Sequence, residues 1–200
     1  MYTLTKGSYK YLFQKDEYYV VVIGMDNAGK STLVERFKAT YNKNYRGFRP
    51  ETITQTIGLN VARFGVSSVK LVLWDLGGQQ DLHSIWEKYF AEAHGIIYVI
   101  DAADRQSLDQ SRLAYNKMLQ NADLADIPLL ILVNKLDVPD PVPLADINAM
   151  FSTFASVIGD RPARVHPISA MTGDNCKEGV EWLVSCLKLN IRQPNQPSIS

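Results

Sequence analysis

The chain has 200 residues, of which 46% are hydrophobic and 21% charged, so the composition excludes a disordered or fibrous protein and the length favours a single domain. Basic and acidic residues number 21 each; this balance gives no overall positive field, and we expect no nucleic-acid partner. The apolar runs at residues 96–100 and 129–133 have the length of strands, far below the ~20 residues that cross a bilayer, which argues against an integral membrane protein.

The first predicted elements are a strand, a glycine loop and a helix. The β-branched run at residues 18–23 predicts the strand, which Gly24 ends. A helical pattern follows from Lys30 to about Ala39. This order is typical of a phosphate-binding unit, in which the loop joins a buried strand to the start of a helix.

Next comes a predicted β-hairpin. Its strands are the alternating segments 59–64 and 69–74, with a turn at 65–68. Three further apolar runs, separated by stretches of helical length, predict strands at residues 95–100, 129–133 and 164–168. Strands alternating with helices predict βαβ units and an open, doubly wound α/β sheet.

The last predicted helix carries one apolar stripe with helical spacing. Its members are Val180, Leu183, Val184, Leu187 and Ile191. After it, residues 192–200 are polar and contain two prolines, so we predict a disordered tail. The predicted domain therefore covers residues 18–191, with a lead-in at residues 1–17.

The sequence GMDNAGKS at residues 24–31 fits the pattern G-x-x-x-x-G-K-[ST]. Glycines let successive main-chain amides face phosphate oxygens, and the helix dipole adds to that field. We expect Lys30 to bridge the β- and γ-phosphates and the Ser31 hydroxyl to bind Mg²⁺. Taken alone, the pattern also fits a plain glycine turn. The candidate nucleotide-binding residues are Gly24, Asp26, Asn27, Ala28, Gly29, Lys30, Ser31 and Thr32.

A second motif, Asn134-Lys135-Leu136-Asp137, directly follows a predicted strand. The Asp137 carboxylate can accept the two N–H groups of a guanine edge, whereas adenine presents an acceptor at N1. We expect the segment Ser169-Ala170-Met171 to offer a backbone N–H to guanine O6 and to brace Asp137. Alone, the motif fits an ordinary polar turn; placed after a phosphate loop, it predicts guanine recognition.

Between these motifs lies Trp74-Asp75-Leu76-Gly77-Gly78-Gln79. We expect Asp75 to hold a Mg²⁺-bound water, and the Gly78 amide to reach a γ-phosphate because glycine has no side chain. Gln79 can orient the attacking water and is the candidate catalytic residue. Thr56 offers a hydroxyl that reaches Mg²⁺ when the γ-phosphate is present. Two loops would then sense one phosphate.

The segments GMDNAGKST, TIGLNV, WDLGGQ, NKLD and SAM, in this order, resemble the Arf/Arl branch of Ras-like small GTPases over residues 18–191. The resemblance implies a P-loop NTPase with a Ras-like G domain, in which helices cover both faces of a six-stranded, mostly parallel sheet. It implies GTP, GDP and Mg²⁺ as ligands, and a GTPase with slow intrinsic hydrolysis that acts as a molecular switch.

The resemblance also implies partners: a guanine-nucleotide exchange factor, a GTPase-activating protein and effectors. In this family a hairpin, here residues 60–73, shifts register on GTP binding and expels an N-terminal switch and targeting segment, here residues 1–17. Leu59, Trp74 and Tyr89 match the effector-facing hydrophobic positions, although Leu59 replaces the usual phenylalanine. From the sequence alone, these three residues also fit a simple core.

Position 2 departs from the Arf pattern, because Tyr2 replaces the glycine required for N-myristoylation. The lead-in resembles an Arf-related branch of the family that works at the trans-Golgi. That resemblance implies an acetylated N-terminus, a Golgi membrane receptor and peripheral membrane association. It places the protein in the cytoplasm, cycling to Golgi and trans-Golgi membranes, where it regulates Golgi and endosomal vesicle trafficking by recruiting effectors.

Two other functions stay open at this point. A P-loop kinase or ATPase shares the phosphate loop, but it lacks the base motif at residues 134–137 and carries lid arginines that this sequence does not reveal. A nucleotide-bound scaffold without significant turnover keeps both motifs, and the presence of Gln79 and Thr56 argues against it.

Overall fold

In a computed structural model, residues 15–45, 49–79 and 83–190 are described, with residues 83–85 described by backbone alone. Strands and helices alternate along most of this length. In chain order the elements are β1 (Glu17–Gly24), α1 (Lys30–Tyr41), a 3₁₀ turn (Pro50–Thr52), β2 (Leu59–Val66), β3 (Val69–Leu76), α2 (His83–Phe90), β4 (Gly95–Asp101), α3 (Arg105–Leu119), a 3₁₀ turn (Ala122–Leu124), β5 (Leu129–Asn134), α4 (Leu144–Ser152), α5 (Ala155–Ile158), β6 (Ala163–Pro167) and α6 (Cys176–Leu189).

The six strands form one sheet in the order β2-β3-β1-β4-β5-β6. Only the hairpin pair β2 and β3 is antiparallel among these five pairings. The predicted six-stranded, mostly parallel sheet is therefore confirmed. All five parallel strands end at one edge, which is where ligands of open α/β sheets bind.

Helices cover both faces of the sheet. Successive side chains of a strand point to opposite faces. Accordingly, Val20 and Val22 of β1 pack with α1 and α6 on one face. Val21 and Ile23 pack with α2, α3 and α4 on the other. These strand residues are fully buried, and the resulting two-sided core makes the sheet a rigid support for the loops at its edge.

Element ends differ from the sequence predictions by a few residues. The hairpin turn is shorter than predicted, because Gly65 and Val66 still pair with β3. The last helix ends at Leu189, and the backbone at Asn190 is extended. Its predicted apolar stripe is buried from Val180 to Leu187. The stripe's last member, residue 191, lies outside the described residues.

The two predicted terminal segments fall largely outside the described part of the chain. Of the lead-in at residues 1–17, the structure describes 15–17, and Glu17 already belongs to β1. The predicted tail at residues 192–200 is not among the described residues. Among the helices that are described, none has the length and apolarity to cross a membrane.

Candidate functional site

The predicted phosphate loop lies at the carboxyl end of β1. Asn27 has a φ of 58° and Gly29 a φ of 91°, and these left-handed positions turn the chain into α1. No side chain caps the start of this helix, and its first turn contains no acidic residue. The first-turn amides at residues 30–32 therefore keep donors for an external acceptor. A helix start of this kind favours phosphate.

Lys30 lies within this loop and is 5% exposed. Its ammonium group donates to the carbonyl oxygens of Gly24, at 3.1 Å, and Met25, at 2.9 Å. Burial lowers the pKa of Lys30, while the nearby carboxylates of Asp75 and Asp26 oppose that shift. The Lys30 ammonium group is buried, and its two hydrogen-bond partners are uncharged carbonyls. An anionic group such as phosphate would stabilise its charge.

An open cavity of about 290 Å³ adjoins the phosphate loop. Gln55, in the loop before β2, donates to the Asp26 carboxylate at 2.5 Å. This hydrogen bond joins the loop before β2 to the phosphate loop across the cavity. The cavity brings together most of the predicted phosphate-site residues. Its lining consists of Asp26, Asn27, Gly29, Lys30, Ser31, Thr32, Ile53, Thr54, Gln55, Thr56 and Gly78.

The three predicted magnesium-site residues lie beside each other. The hydroxyl oxygens of Ser31 and Thr56 are 2.7 Å apart, and the Thr56 hydroxyl donates to Asp75 Oδ2 at 3.4 Å. Asp75 is fully buried, and its Oδ1 atom has no hydrogen-bond partner in the described structure. An orphaned carboxylate oxygen next to two hydroxyls fits the all-oxygen ligand set that Mg²⁺ takes, directly or through water.

Burial also affects the ionisation of Asp75. It raises the pKa of the Asp75 carboxyl, and contacts with Ser31, Lys30, Asn60 and Thr56 counteract the rise. A buried carboxylate of this kind is stabilised in its charged form by a nearby cation. The residues present therefore fit a magnesium ion.

The loop that follows β3 approaches the phosphate loop closely at Gly78. A Cβ atom on Gly78 would lie 2.4 Å from Lys30 Nζ and 2.6 Å from the Asp26 amide nitrogen. The hairpin strands stay joined here, since the Gly77 amide donates to the Gly58 carbonyl at 3.0 Å. Gln79 follows directly and is half-buried. Residues 80–82 lie outside the described residues.

The predicted base motif follows β5. The Asn134 side-chain amide donates to the Ala28 carbonyl at 2.8 Å, so this motif is fastened to the phosphate loop. Lys135 has a φ of 66° and forms an ion pair with Asp101 at 2.7 Å. Asp137 is exposed. Lys135 thus pairs with a carboxylate at the end of β4, and the Asp137 carboxylate stays available to solvent or a base.

In the structure, the loop at residues 169–171 makes hydrogen bonds within the protein. The Ala170 amide donates to Asn134 Oδ1 at 2.9 Å. The Ser169 hydroxyl accepts from the Thr172 amide at 3.0 Å. Both groups are buried, and buried polar groups find partners within the protein. Their roles toward guanine stay predictions.

The predicted effector surface is partly exposed. Leu59 is 37% exposed and Trp74 8%, and Tyr89 is half-buried. The rings of Trp74 and Tyr89 lie 5.2 Å apart, and those of Trp74 and Tyr19 lie 4.8 Å apart. Trp74 is therefore packed between two tyrosines, with Leu59 as the most exposed of the three predicted positions.

Comparison with known proteins shows which family this arrangement belongs to. The model of the ADP-ribosylation factor family matches residues 5–187. The chain belongs to the ADP-ribosylation factor (Arf) family. The bovine ADP-ribosylation factor-related protein 1 is 47% identical over 97% of this chain and 96% of its own length. The human protein of that name is 46% identical over the same shares.

More distant members of the family agree with this result. ADP-ribosylation factor-like protein 3 of Saccharomyces cerevisiae is 37% identical over 95% of this chain and 96% of its own. The Arl6 BBS3 small GTPase of Trypanosoma brucei was solved with the nucleotide analogue GppNp bound. Its structure superposes with a TM-score of 0.75 at 24% identity, covering 87% of this chain and 99% of that one. That likeness supports the fold.

Family membership fixes the class of activity. Arf-family proteins are GTP-binding switches that hydrolyse GTP, so this chain is a small GTPase. As in the family generally, it works with exchange factors, activating proteins and effectors. The resemblance drawn from the sequence motifs is confirmed, and a P-loop kinase or ATPase is not favoured.

Three residues at the site were not found by sequence reasoning. Asp101 carried a weak signal, since it is a carboxylate at the end of a buried strand. Gln55 and Arg36 belong to no motif. Gln55 reaches the phosphate loop, and Arg36 reaches residues 170 and 171 from α1. These contacts depend on the folded path of the chain, so no local pattern reveals them.

Proposed function

We propose that this GTPase binds GDP and GTP with Mg²⁺ at the carboxyl edge of its sheet, with the phosphates at residues 24–32 and the base at residues 134–137. The observation that carries the proposal is the cluster of Ser31, Thr56 and Asp75 beside Lys30. Donors for phosphate and oxygen ligands for a divalent cation lie within one cavity. That combination is what phosphoryl transfer requires.

In this proposal each residue of the chain has a defined task. Lys30 and the first-turn amides of α1 bind the β- and γ-phosphates. Ser31 and Thr56 would supply hydroxyl ligands to Mg²⁺, and Asp75 would hold the ion through a water. Mg²⁺, when bound, neutralises charge on the phosphate oxygens. Gln79 then orients a water in line with the γ-phosphate, and the Gly78 amide holds a γ-phosphate oxygen.

The same contacts explain switching. Thr56 belongs to the loop before β2 and Gly78 to the loop after β3. The contacts of both loops in the proposed site therefore depend on the same γ-phosphate. Loss of the γ-phosphate removes both contacts. To move the balance from mostly inactive to mostly active, GTP must prefer the active state by about 5 kcal/mol.

We expect intrinsic hydrolysis to be slow, and activation to come from a second protein. Among the described residues that line the cavity, none is an arginine. An arginine supplied by an activating protein accelerates related enzymes by roughly 10³- to 10⁵-fold. Without it, turnover on the order of 10⁻⁴ s⁻¹ is expected, as for Ras.

We further propose that the protein regulates Golgi and endosomal vesicle trafficking, by recruiting effectors to trans-Golgi membranes through a Golgi receptor. The support is the similarity to ADP-ribosylation factor-related protein 1 over nearly the whole chain, together with the resemblance of the lead-in to the trans-Golgi branch. Position 2 carries Tyr2, where Arf proteins have the glycine that is myristoylated. A protein receptor for an acetylated Met1 replaces the acyl chain, which alone anchors weakly.

Equilibrium binding tests the nucleotide assignment. Purified full-length protein, stripped of nucleotide, is titrated with fluorescent GDP, GTP, ADP and ATP in Mg²⁺ and then in EDTA. We expect tight, Mg²⁺-dependent binding of the guanine pair alone. Equal affinity for adenine nucleotides would refute the base assignment. Tight GTP binding without single-turnover hydrolysis, even with an activator, would favour a scaffold instead.

Cell imaging tests the trafficking role. A Gln79→Leu variant should persist on trans-Golgi membranes, and a Ser31→Asn variant, which favours GDP or the empty state, should be cytoplasmic. Mass spectrometry of the N-terminus should show acetylation. A free amine combined with normal Golgi targeting would exclude the proposed receptor mechanism.

A further inference from the structure

Arg36 connects the helix of the phosphate loop to the loop at residues 169–173. Its Nε atom donates to the Ala170 carbonyl at 3.0 Å, and its Nη2 atom donates to the Met171 carbonyl. Arg36 precedes these acceptors by 134 and 135 positions in the sequence. A guanidinium group has donors in a fixed planar arrangement, so binding two adjacent carbonyls fixes the direction of the loop as well as its distance.

The main chain of the loop at Gly173 lies close against the Arg36 side chain. Gly173 has a φ of 95°, and a Cβ atom there would lie 3.3 Å from Arg36 Cδ and 3.6 Å from its Cζ. The absence of a side chain at this position lets the loop main chain approach the guanidinium. Arg36 therefore packs against the loop in addition to donating to it.

Ala170 is held from its other side as well. Its amide donates to Asn134 Oδ1 at 2.9 Å, while its carbonyl accepts from Arg36. Met171 is 51% exposed, so hydrophobic packing does little to fix the outer end of the loop. Polar contacts from Asn134 and Arg36 thus add to the loop's own hydrogen bonds, such as that from the Gly173 amide to the Ser169 carbonyl at 2.8 Å, in holding it in place.

Helix α1 joins the two ends of the nucleotide site. It begins at Lys30, in the phosphate loop, and carries Arg36 about 1.7 turns later. Because a helix is stiff over this length, Arg36 sets a fixed distance between the phosphate loop and the loop that flanks the base motif. A loop held in place before binding loses less conformational entropy when the ligand arrives, and the complex is tighter.

We propose that Arg36 is a positioning residue for guanine binding, which holds residues 169–173 beside the base-recognition motif without touching the nucleotide. The inference rests on the proposed nucleotide site. It adds that affinity for the base depends on a side chain of the phosphate-loop helix.

The test compares GDP release from Arg36 variants and from a matched control. Arg161 makes the same kind of contact elsewhere: its guanidinium donates to the carbonyls of Ile158, at 3.0 Å, and Leu124, at 2.7 Å. Full-length wild type, Arg36→Ala, Arg36→Lys and Arg161→Ala are loaded with fluorescent GDP in Mg²⁺. Release is then followed after adding excess unlabelled GDP.

We expect Arg36→Ala to release GDP roughly 5- to 20-fold faster than wild type, since it loses two hydrogen bonds from a charged, half-exposed donor. Arg36→Lys should fall in between, because lysine lacks the planar pair of donors. Arg161→Ala should release GDP at the wild-type rate. Should the alanine variant fail to fold, the lysine variant carries the test.

Two further measurements separate positioning from a general loss of stability. Single-turnover hydrolysis of bound GTP should be unchanged in the Arg36 variants, because the cavity at Lys30 and Thr56 is intact. Amide hydrogen exchange should accelerate at residues 169–173 and stay constant in β1. A merely structural role would accelerate exchange across the sheet and slow hydrolysis.

The outcomes are distinguishable from failure of the proposed function. If wild type binds no guanine nucleotide, the nucleotide site itself is wrong. If wild type binds GDP and both Arg36 variants release it at the wild-type rate, only the positioning role is overturned. It is overturned equally if Arg161→Ala accelerates release as much as Arg36→Ala does.

Discussion

The hydroxyl oxygens of Ser31 and Thr56 lie 2.7 Å apart, although 25 residues separate them in the chain. Ser31 is on the first turn of α1, and Thr56 is in the loop that precedes β2. Their contact joins this loop to the first turn of α1. In the proposed site, this contact would let the loop before the hairpin contribute a ligand to the metal.

Replacing Thr56 by alanine should weaken GTP relative to GDP. The variant loses the hydroxyl that lies beside Ser31 and Asp75 in the proposed magnesium site. We therefore expect the preference for GTP over GDP to fall about tenfold, or ~1.4 kcal/mol. The ratio of dissociation rates for GDP and a non-hydrolysable GTP analogue in Mg²⁺ measures this. Thr52→Ala is the control, because that hydroxyl bonds locally to the Arg49 carbonyl at 2.9 Å. An unchanged ratio for Thr56→Ala would remove Thr56 from the site.

Replacing Gly78 by alanine should block the GTP form. The added methyl would meet Lys30 Nζ at 2.4 Å and the Asp26 amide nitrogen at 2.6 Å, so the loop after β3 must move away from the phosphate loop. We expect GTP affinity to fall at least ~10-fold relative to GDP, measured by titration with both nucleotides. The matched control is Gly65→Ala in the same hairpin, where the nearest atom to the methyl is Lys15 Nζ at 3.3 Å. Equal behaviour of the two variants would contradict the close approach.

Replacing Asp137 by asparagine should change the preferred base. The amide offers a donor where guanine also presents donors, so GTP affinity should fall roughly 10²-fold or more. Xanthosine triphosphate should gain, because xanthine has a carbonyl at that edge. Competition binding with the two triphosphates measures the change. Asp140→Asn, another exposed carboxylate in the same segment, should keep guanine preference; a shift in that variant alone would relocate the base contact.

Replacing Gln79 by leucine should keep GTP bound. Leucine cannot hydrogen-bond a water, so we expect single-turnover hydrolysis to slow by about 10²-fold, the usual cost of misplacing a reacting group. GDP and GTP affinities should stay within about threefold of wild type. Gln110→Leu, on the exposed side of α3, controls for an added apolar side chain. Normal hydrolysis by the Gln79 variant would assign water positioning to another residue.

Much of the fold follows from local sequence pattern. The buried run in β1 and the glycine loop before Lys30 specify the strand, turn and helix at residues 17–41. Period-two alternation in β2 and β3 specifies the hairpin. The pattern misplaced the ends of some elements, such as the hairpin turn, which lies at Ser67 and Ser68. The last residue pairs of two strands depend on the partner strand as much as on the local residues.

The site was predictable where one segment supplies both the chemistry and the geometry. Residues 24–31 carry their own loop, and Ser31 lies where the motif places it. The partner of the Ala170 amide was not predictable, because a buried amide bonds to whichever acceptor the fold brings near, here Asn134. Arg36 was missed for the same reason: nothing in a helical pattern indicates which distant carbonyls its guanidinium reaches.

The carboxamide of Asn134 bonds to the main chain on both sides, since its amide donates to the Ala28 carbonyl and its oxygen accepts from the Ala170 amide. One side chain thus joins three loops of the proposed nucleotide site, those that contain Ala28, Asn134 and Ala170. We expect displacement of any one of the three to disturb the other two through this side chain. In the proposed site, a partner that displaces the phosphate loop should therefore also weaken the contacts to the base.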